Sequence, residues 1–287
     1  MRIEVNGVRL FVDVEGAGLV PDGPAMRKKP TLILLHGGPG ADHSIYKPAF
    51  SQLSDIAQIV YLDHRGNGRS DDSDPARWNL DQWADDLHGL IETLGIDRPI
   101  LYGASFGGFV AQAYATRYPD TLGALILCAT TAKAEFETIY QAFARLGGDE
   151  AGDVARTYWN APTPERRKRY FEVCLPLYSQ SGADPDMMAR MIVKNPVAMH
   201  FNGPDNEMGR FDFRDGLARV SCPVLILSGS HDPMMPVPFS ETLLASLGNT
   251  PATHHTLHGA GHMIPADAPA EFFAHLRRFI TETMPCD

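Results

Sequence analysis

Long apolar runs are missing from this sequence. None approaches the roughly 20 residues that a membrane-spanning helix requires, although 44% of the 287 residues are hydrophobic. Those side chains are therefore expected to build a core rather than to meet lipid. Cysteine is scarce: Cys128, Cys174, Cys222 and Cys286 stand too far apart for a disulfide framework or a zinc-binding spacing. Cys128 and Cys222 lie in or beside apolar runs, where a reduced thiol packs well. Positive charge is in deficit, with 25 Lys and Arg against 35 Asp and Glu and a formal net charge of -10. An acidic balance disfavours phosphate backbones and anionic lipid, so neither nucleic acid nor membrane is an expected partner. There is no internal repeat and no low-complexity tract. Residues 1–7 lack the apolar segment of a secretory signal, which makes the cytoplasm the expected location.

What is present is an alternation of strand-like and helix-like segments. Runs at 3–5 and 8–14 flank Asn6-Gly7, a hairpin signal. Segments 31–35, 59–62, 100–102, 124–128 and 224–227 are short and almost continuously apolar, as parallel strands covered on both faces should be. Apolar residues recur at helical spacing over 80–94, and a helix over 106–118 runs into Pro119, a natural stop. A last strand is expected at 254–257 and a last helix at 270–280, while the Pro/Gly-rich stretch 16–30 reads as a surface loop. From 132 to about 215 the rhythm breaks, because the chain there favours helix and offers no convincing strand. The expectation is an α/β fold with a mostly parallel central sheet flanked by helices, residues 1–131 and 216–287 forming the core and 132–215 an inserted helical cap. Within the cap, Arg166-Arg167-Lys168-Arg169 could suggest an anionic partner, but a solvated helix face accounts for it.

The segment most informative about chemistry is Gly103-Ala104-Ser105-Phe106-Gly107, between a strand and a helix. This is the G-x-S-x-G elbow in the context it needs, a serine on a sharp turn that only small neighbours permit. The helix that follows brings backbone N–H groups and a positive dipole end to Ser105, which favour developing negative charge. The Phe106 amide is one expected oxyanion donor. After segment 31–35 comes His36-Gly37-Gly38-Pro39-Gly40, the position from which a second donor is supplied, and Gly38 is the residue expected to supply it. His36 is assigned to bracing the loop.

A serine hydroxyl needs a base, and in this arrangement an acid and then a histidine follow the nucleophile along the chain. Asp232 falls just after segment 224–227, at the carboxyl end of a sheet strand. His262 follows the last strand in a Gly-Ala-Gly-His loop and is the expected base, with Asp232 fixing its tautomer. His231 is the alternative base, and an Asx turn before Pro233 is the structural alternative for Asp232. His254, His255 and His258 could be grouped as metal ligands, but no carboxylate or cysteine completes a ligand spacing, so no metal is expected.

Together, His36-Gly37-Gly38-Pro39-Gly40, Asp63-His64-Arg65-Gly66-Asn67-Gly68-Arg69-Ser70, the elbow from Gly103 to Gly108 and the Gly259-Ala260-Gly261-His262 ending resemble the proline iminopeptidase branch of the α/β-hydrolases. The resemblance covers the core throughout and the cap in length and position. It implies the α/β-hydrolase fold, release of an N-terminal residue from a small molecule or short peptide, and no cofactor. Asp63 and Arg65 are expected to brace the loop beside the site. Two departures stand out: Phe106 occupies the place where the family's peptidases commonly have tryptophan, and of the cap acids Asp205 and Glu207 only Glu207 resembles the glutamates that bind a substrate amine. The leading expectation is thus an aminopeptidase or amidase working through an acyl-enzyme on Ser105. A carboxylesterase or lactonase on the same scaffold is the alternative, and a non-catalytic binding protein is a third reading that the complete triad opposes.

Overall fold

In a computed structural model of the chain, which describes residues 1–182, 184–248 and 250–284, the centre is an eight-stranded sheet. Its strands are β1 (Arg2–Val5), β2 (Val8–Glu15), β5 (Thr31–Leu35), β6 (Gln58–Leu62), β7 (Ile100–Ala104), β8 (Ala124–Cys128), β9 (Val224–Gly229) and β10 (Ala252–Leu257). The order is β1-β2-β6-β5-β7-β8-β9-β10. Only β1, β2 and their pairings are antiparallel; from β6 to β10 every ladder is parallel.

Both faces of the parallel part are buried, which is why its strands read as apolar runs rather than as alternating patterns. Ile33, Leu35, Leu62, Leu101, Leu127 and Ile226 join one core with helices α1 (Leu80–Thr93) and α2 (Phe106–Arg117). Their neighbours Leu34, Tyr61, Tyr102, Ile126 and Leu227 join a second core on the opposite face. That face is closed by Phe272, Leu276 and Ile280 of the C-terminal helix.

Between β8 and β9 the described residues contain helices and no strand: α3 (Phe136–Gly147), α4 (Asp149–Asn160), α5 (Pro164–Val173), α6 (Pro185–Arg190), α7 (Asn195–Phe201), α8 (Glu207–Arg210) and α9 (Arg214–Leu217). The last of these packs on α2 and on α10 (Val237–Ser246), so the return to the core side begins at α9. After β10 come the short α11 (Ile264–Asp267) and α12 (Pro269–Thr283).

The expected loop at 16–30 requires a correction. It forms a separate two-stranded hairpin of β3 (Leu19–Asp22) and β4 (Ala25–Lys28). Its residues are exposed or half-buried on both faces, and it is held by backbone pairing around Gly23. A strand pair that buries neither face has no reason to alternate apolar and polar residues, so the usual signal is missing. Of the cysteines, Cys128, Cys174 and Cys222 are free and buried, while Cys286 lies outside the described residues.

Candidate active site

Ser105 stands at the junction of β7 and α2 with φ 52° and ψ -118°, a left-handed conformation that costs a non-glycine residue roughly 1–3 kcal/mol. The neighbouring glycines make the turn possible. A Cβ on Gly103 would lie 2.4 Å from the Gly107 carbonyl oxygen, and one on Gly107 would lie 1.9 Å from that of Leu35. The elbow is also tied to β8, because the Ser105 amide donates to the Cys128 carbonyl (3.0 Å) and Thr130 Oγ1 donates to the Ser105 carbonyl (2.9 Å). Gly107→Ala is therefore expected to cost about 3 kcal/mol of folding stability, since the new methyl can be relieved only by moving two backbone segments. Denaturant unfolding should show a lower midpoint; an unchanged midpoint would mean that the elbow is loose enough to absorb a side chain.

The His36–Gly40 loop lies against this turn: a Cβ on Gly37 would be 3.2 Å from the Ala104 carbonyl oxygen and 3.5 Å from Ser105 Cβ. Gly38 is left-handed (φ 56°), and its carbonyl accepts from Ala41 in a tight turn. Among the described residues neither the Gly38 amide nor the Phe106 amide meets an acceptor. His36 is fully buried; its Nε2 accepts from the His64 amide (3.3 Å), which leaves Nδ1 to donate to the Gly37 carbonyl (3.1 Å). Burial pushes the His36 and His64 imidazoles below their usual range, that of His64 strongly, so both are neutral braces under the loop.

Asp232, in the turn after β9, is fully buried and its acceptors are used. Oδ1 takes the amides of Met234 and Met235, each at 2.8 Å, and Oδ2 takes His262 Nδ1 at 2.8 Å. In this contact Nδ1 is the donor to the carboxylate, and Nε2 makes no hydrogen bond among the described residues. The two loops are laced together, the His231 amide donating to the Ala260 carbonyl (2.8 Å) and the Ser230 amide to the Leu257 carbonyl (3.1 Å). β7 and β9 are separated by one strand, so the elbow and the acid loop emerge roughly 10 Å apart on one rim, with the His262 loop after β10 beside the acid loop. The Ser105 hydroxyl itself is half-buried and makes no hydrogen bond among the described residues.

The alternatives do not assemble. His231 is exposed and paired with Ser230 Oγ (2.9 Å), His254 Nε2 meets Ser228 Oγ (2.8 Å), and His255 stacks on His275. Residues 30–269 match the family model described as alpha/beta hydrolase fold. The chain belongs to this family. Of its relatives, a proline iminopeptidase of Lactobacillus helveticus is 25% identical over 280 residues, covering 89% of this chain and 91% of that protein. A putative carbamate hydrolase, RutD, of a Caulobacter species is 25% identical over 285 residues, covering 91% and 94%. Among solved structures, VinJ superposes with a TM-score of 0.81 at 23% identity, covering 99% of this chain and 98% of that one. The chain is thus a hydrolase resembling the proline iminopeptidases.

Other residues of this α/β hydrolase hold the site in place. Asp63 and Arg65 do not pair with each other. Asp63 Oδ1 accepts from the backbone amide (2.8 Å) and Nδ1 (2.7 Å) of His43, and Oδ2 accepts from the Arg69 amide (2.7 Å). Burial pushes its carboxyl up, but the His43 bond and the other donors hold it below its usual range. Asp42, beside it, is bound by the Arg69 guanidinium, so the cluster Asp42, His43 and Asp63 is matched by a cation of the chain itself. Arg65 forms a buried two-point contact with Asp86 of α1 (2.6 and 2.7 Å). No sequence motif joined Asp42, His43 and Asp63, because the cluster forms only when the loops close.

A chain of side-chain contacts runs from His262 through the helical insert to Phe106, the residue after Ser105. The His262 ring meets Tyr178 edge-on at 5.0 Å, the Tyr178 and Tyr170 hydroxyls are 2.6 Å apart, and Tyr170 packs on Tyr158 at 4.8 Å. Asn202 Nδ2 then donates to the Tyr158 hydroxyl (2.9 Å), and Phe201 packs on Phe106 (5.1 Å) beside Ser105. Glu207, half-buried at the start of α8, accepts the Leu80 amide at the start of α1 through Oε1 (3.1 Å); Asp205 is exposed. In the basic run, Arg166 bonds the Ala161 carbonyl, Arg167 lies over the Phe171 ring, and Arg169 pairs with Glu150 and Glu172.

Proposed function

We propose that this hydrolase cleaves a small amide, of the aminoacyl type, through an acyl-enzyme on Ser105. The observation that carries the reading is the buried, fully bonded Asp232 carboxylate gripping His262 Nδ1 on the same rim as a strained serine with an unengaged hydroxyl. In the first step His262 Nε2 takes the Ser105 proton as Oγ attacks the carbonyl carbon, and the oxyanion is met by the Gly38 and Phe106 amides. The imidazolium then gives its proton to the leaving nitrogen. Water repeats the sequence on the acyl-enzyme, with the same imidazole as base and then acid. Residues 132–215 act as a cap over this centre.

The amide reading is supported by the names of the two sequence relatives and by the His36–Gly40 loop. In this reading Glu207 Oε2, which has no partner among the described residues, receives the substrate's ammonium group while Oε1 stays on Leu80. Phe106, in the place where the family's peptidases commonly have tryptophan, favours the second reading, an esterase or lactonase. Three buried free thiols agree with a reducing compartment, the cytoplasm.

A panel that pairs aminoacyl amides, prolyl derivatives included, with their amine-blocked counterparts and with aryl esters tests the choice. The wild type should require the free amine. Glu207→Gln, which keeps the acceptor for Leu80, should lose at least about tenfold in kcat/KM on free-amine substrates, as expected for a lost charged hydrogen bond, and little on blocked esters. Equal turnover of free and blocked substrates would replace the aminopeptidase with an esterase.

A further inference from the structure

Asp267 lies outside the triad, and its carboxylate gathers four donors. Oδ1 accepts from Ser179 Oγ (2.6 Å) and from the amides of Gln180 and Ser181 (2.9 Å each), all in the insert. Oδ2 accepts from the amide of Gly261 (2.7 Å), the residue immediately before His262. On the other side of the histidine, the Met263 amide donates to the Tyr178 carbonyl (3.0 Å), and the Tyr178 ring meets the imidazole edge-on. His262 is therefore held in register from both flanking residues by one short stretch of the insert, residues 178–181. The approach is close, since a Cβ on Gly261 would lie 2.6 Å from the Tyr178 carbonyl oxygen.

We infer that Asp267 is a positioning residue for the base: it clamps the Gly261–His262 loop to segment 178–181 of the insert, so that the aim of the imidazole depends on the seating of the cap. The inference rests on the assignment of His262 as the base. It gives the insert a second task besides capping the site. Any opening of the cap that admits substrate must pivot away from segment 178–181, or the base is released with it. Burial pushes the Asp267 carboxyl up, but Ser179 and the three amides hold it below the usual carboxylate range, so it is an acceptor on both sides at neutral pH.

Asp267→Asn removes the charge and turns one side of the clamp into a donor facing donors. Its kcat should fall between about ten- and a hundred-fold, the scale of a small misplacement of a catalytic group, with KM within threefold of wild type. The imidazole of His262, followed by NMR titration, should become easier to deprotonate, and the acid limb of kcat/KM should move to lower pH with it. Asp232 and Tyr178 face the same ring and remain unchanged. Ser179→Ala, which removes one donor of four, should stay within threefold of wild type in kcat. In the wild type itself, the amides of Gly261, Gln180 and Ser181 should be protected from hydrogen exchange as a set. An unshifted His262 titration in Asp267→Asn, or exchange of the wild-type Gly261 amide at open-loop rates, overturns the inference. Fluorophosphonate labelling of Ser105 judges the hydrolase reading separately: a wild type that is not labelled removes that reading, and the titration and exchange still decide whether the clamp exists.

Discussion

Ser105→Ala is expected to lower kcat by about 10⁶-fold, the scale seen when the nucleophile of an interdependent triad is removed, while leaving the fold intact. The hydroxyl makes no hydrogen bond among the described residues, so its loss leaves no buried partner unsatisfied. Alanine retains the Cβ, so the strained turn at φ 52° and the glycine packing around it are unchanged. Melting temperature and circular dichroism should match wild type, and a fluorophosphonate should add mass to the wild type and none to the variant. Turnover within tenfold of wild type would show that another residue is the nucleophile.

Asp232→Asn should lower kcat by about 10⁴-fold with KM little changed. The substitution conserves shape, and a carbonyl oxygen in place of Oδ1 can still accept the Met234 and Met235 amides at the observed 2.8 Å positions. The amide nitrogen then faces His262 Nδ1, so a donor meets a donor unless the imidazole moves its proton to Nε2. That tautomer presents a proton to Ser105 where a lone pair is needed. Steady-state kinetics on the best substrate of the panel checks the result, and a loss shared equally between kcat and 1/KM would point to disrupted binding instead.

The residues proposed for the chemistry were legible because each sits in a short motif at a strand end. The Gly103–Gly107 elbow, the His36–Gly40 loop, Asp232 after β9 and His262 after β10 are all marked by local sequence, and the continuous apolar strands follow from a sheet buried on both faces. What remained unread depends on closure across long separations. Glu207 stands out in the sequence, but its bond to the Leu80 amide, 127 residues away, does not, and Asp267 is 86 to 88 residues from the insert donors it gathers. An aspartate making such contacts looks in sequence like any surface acid. The β3–β4 hairpin escaped for the opposite reason: its strands face no core, so nothing in their pattern distinguishes them from a loop.

The packing of the insert on the sheet also determines what light can report. The chain has three tryptophans. Trp83 touches both Phe106 and Phe201, Trp78 meets His200 of α7, and Trp159 packs on Tyr170 within the insert. No indole lies on the opposite face of the sheet, where Tyr102 and the C-terminal helix pack. Tryptophan emission from this molecule consequently reports on the face of the sheet that carries the helical insert and Ser105.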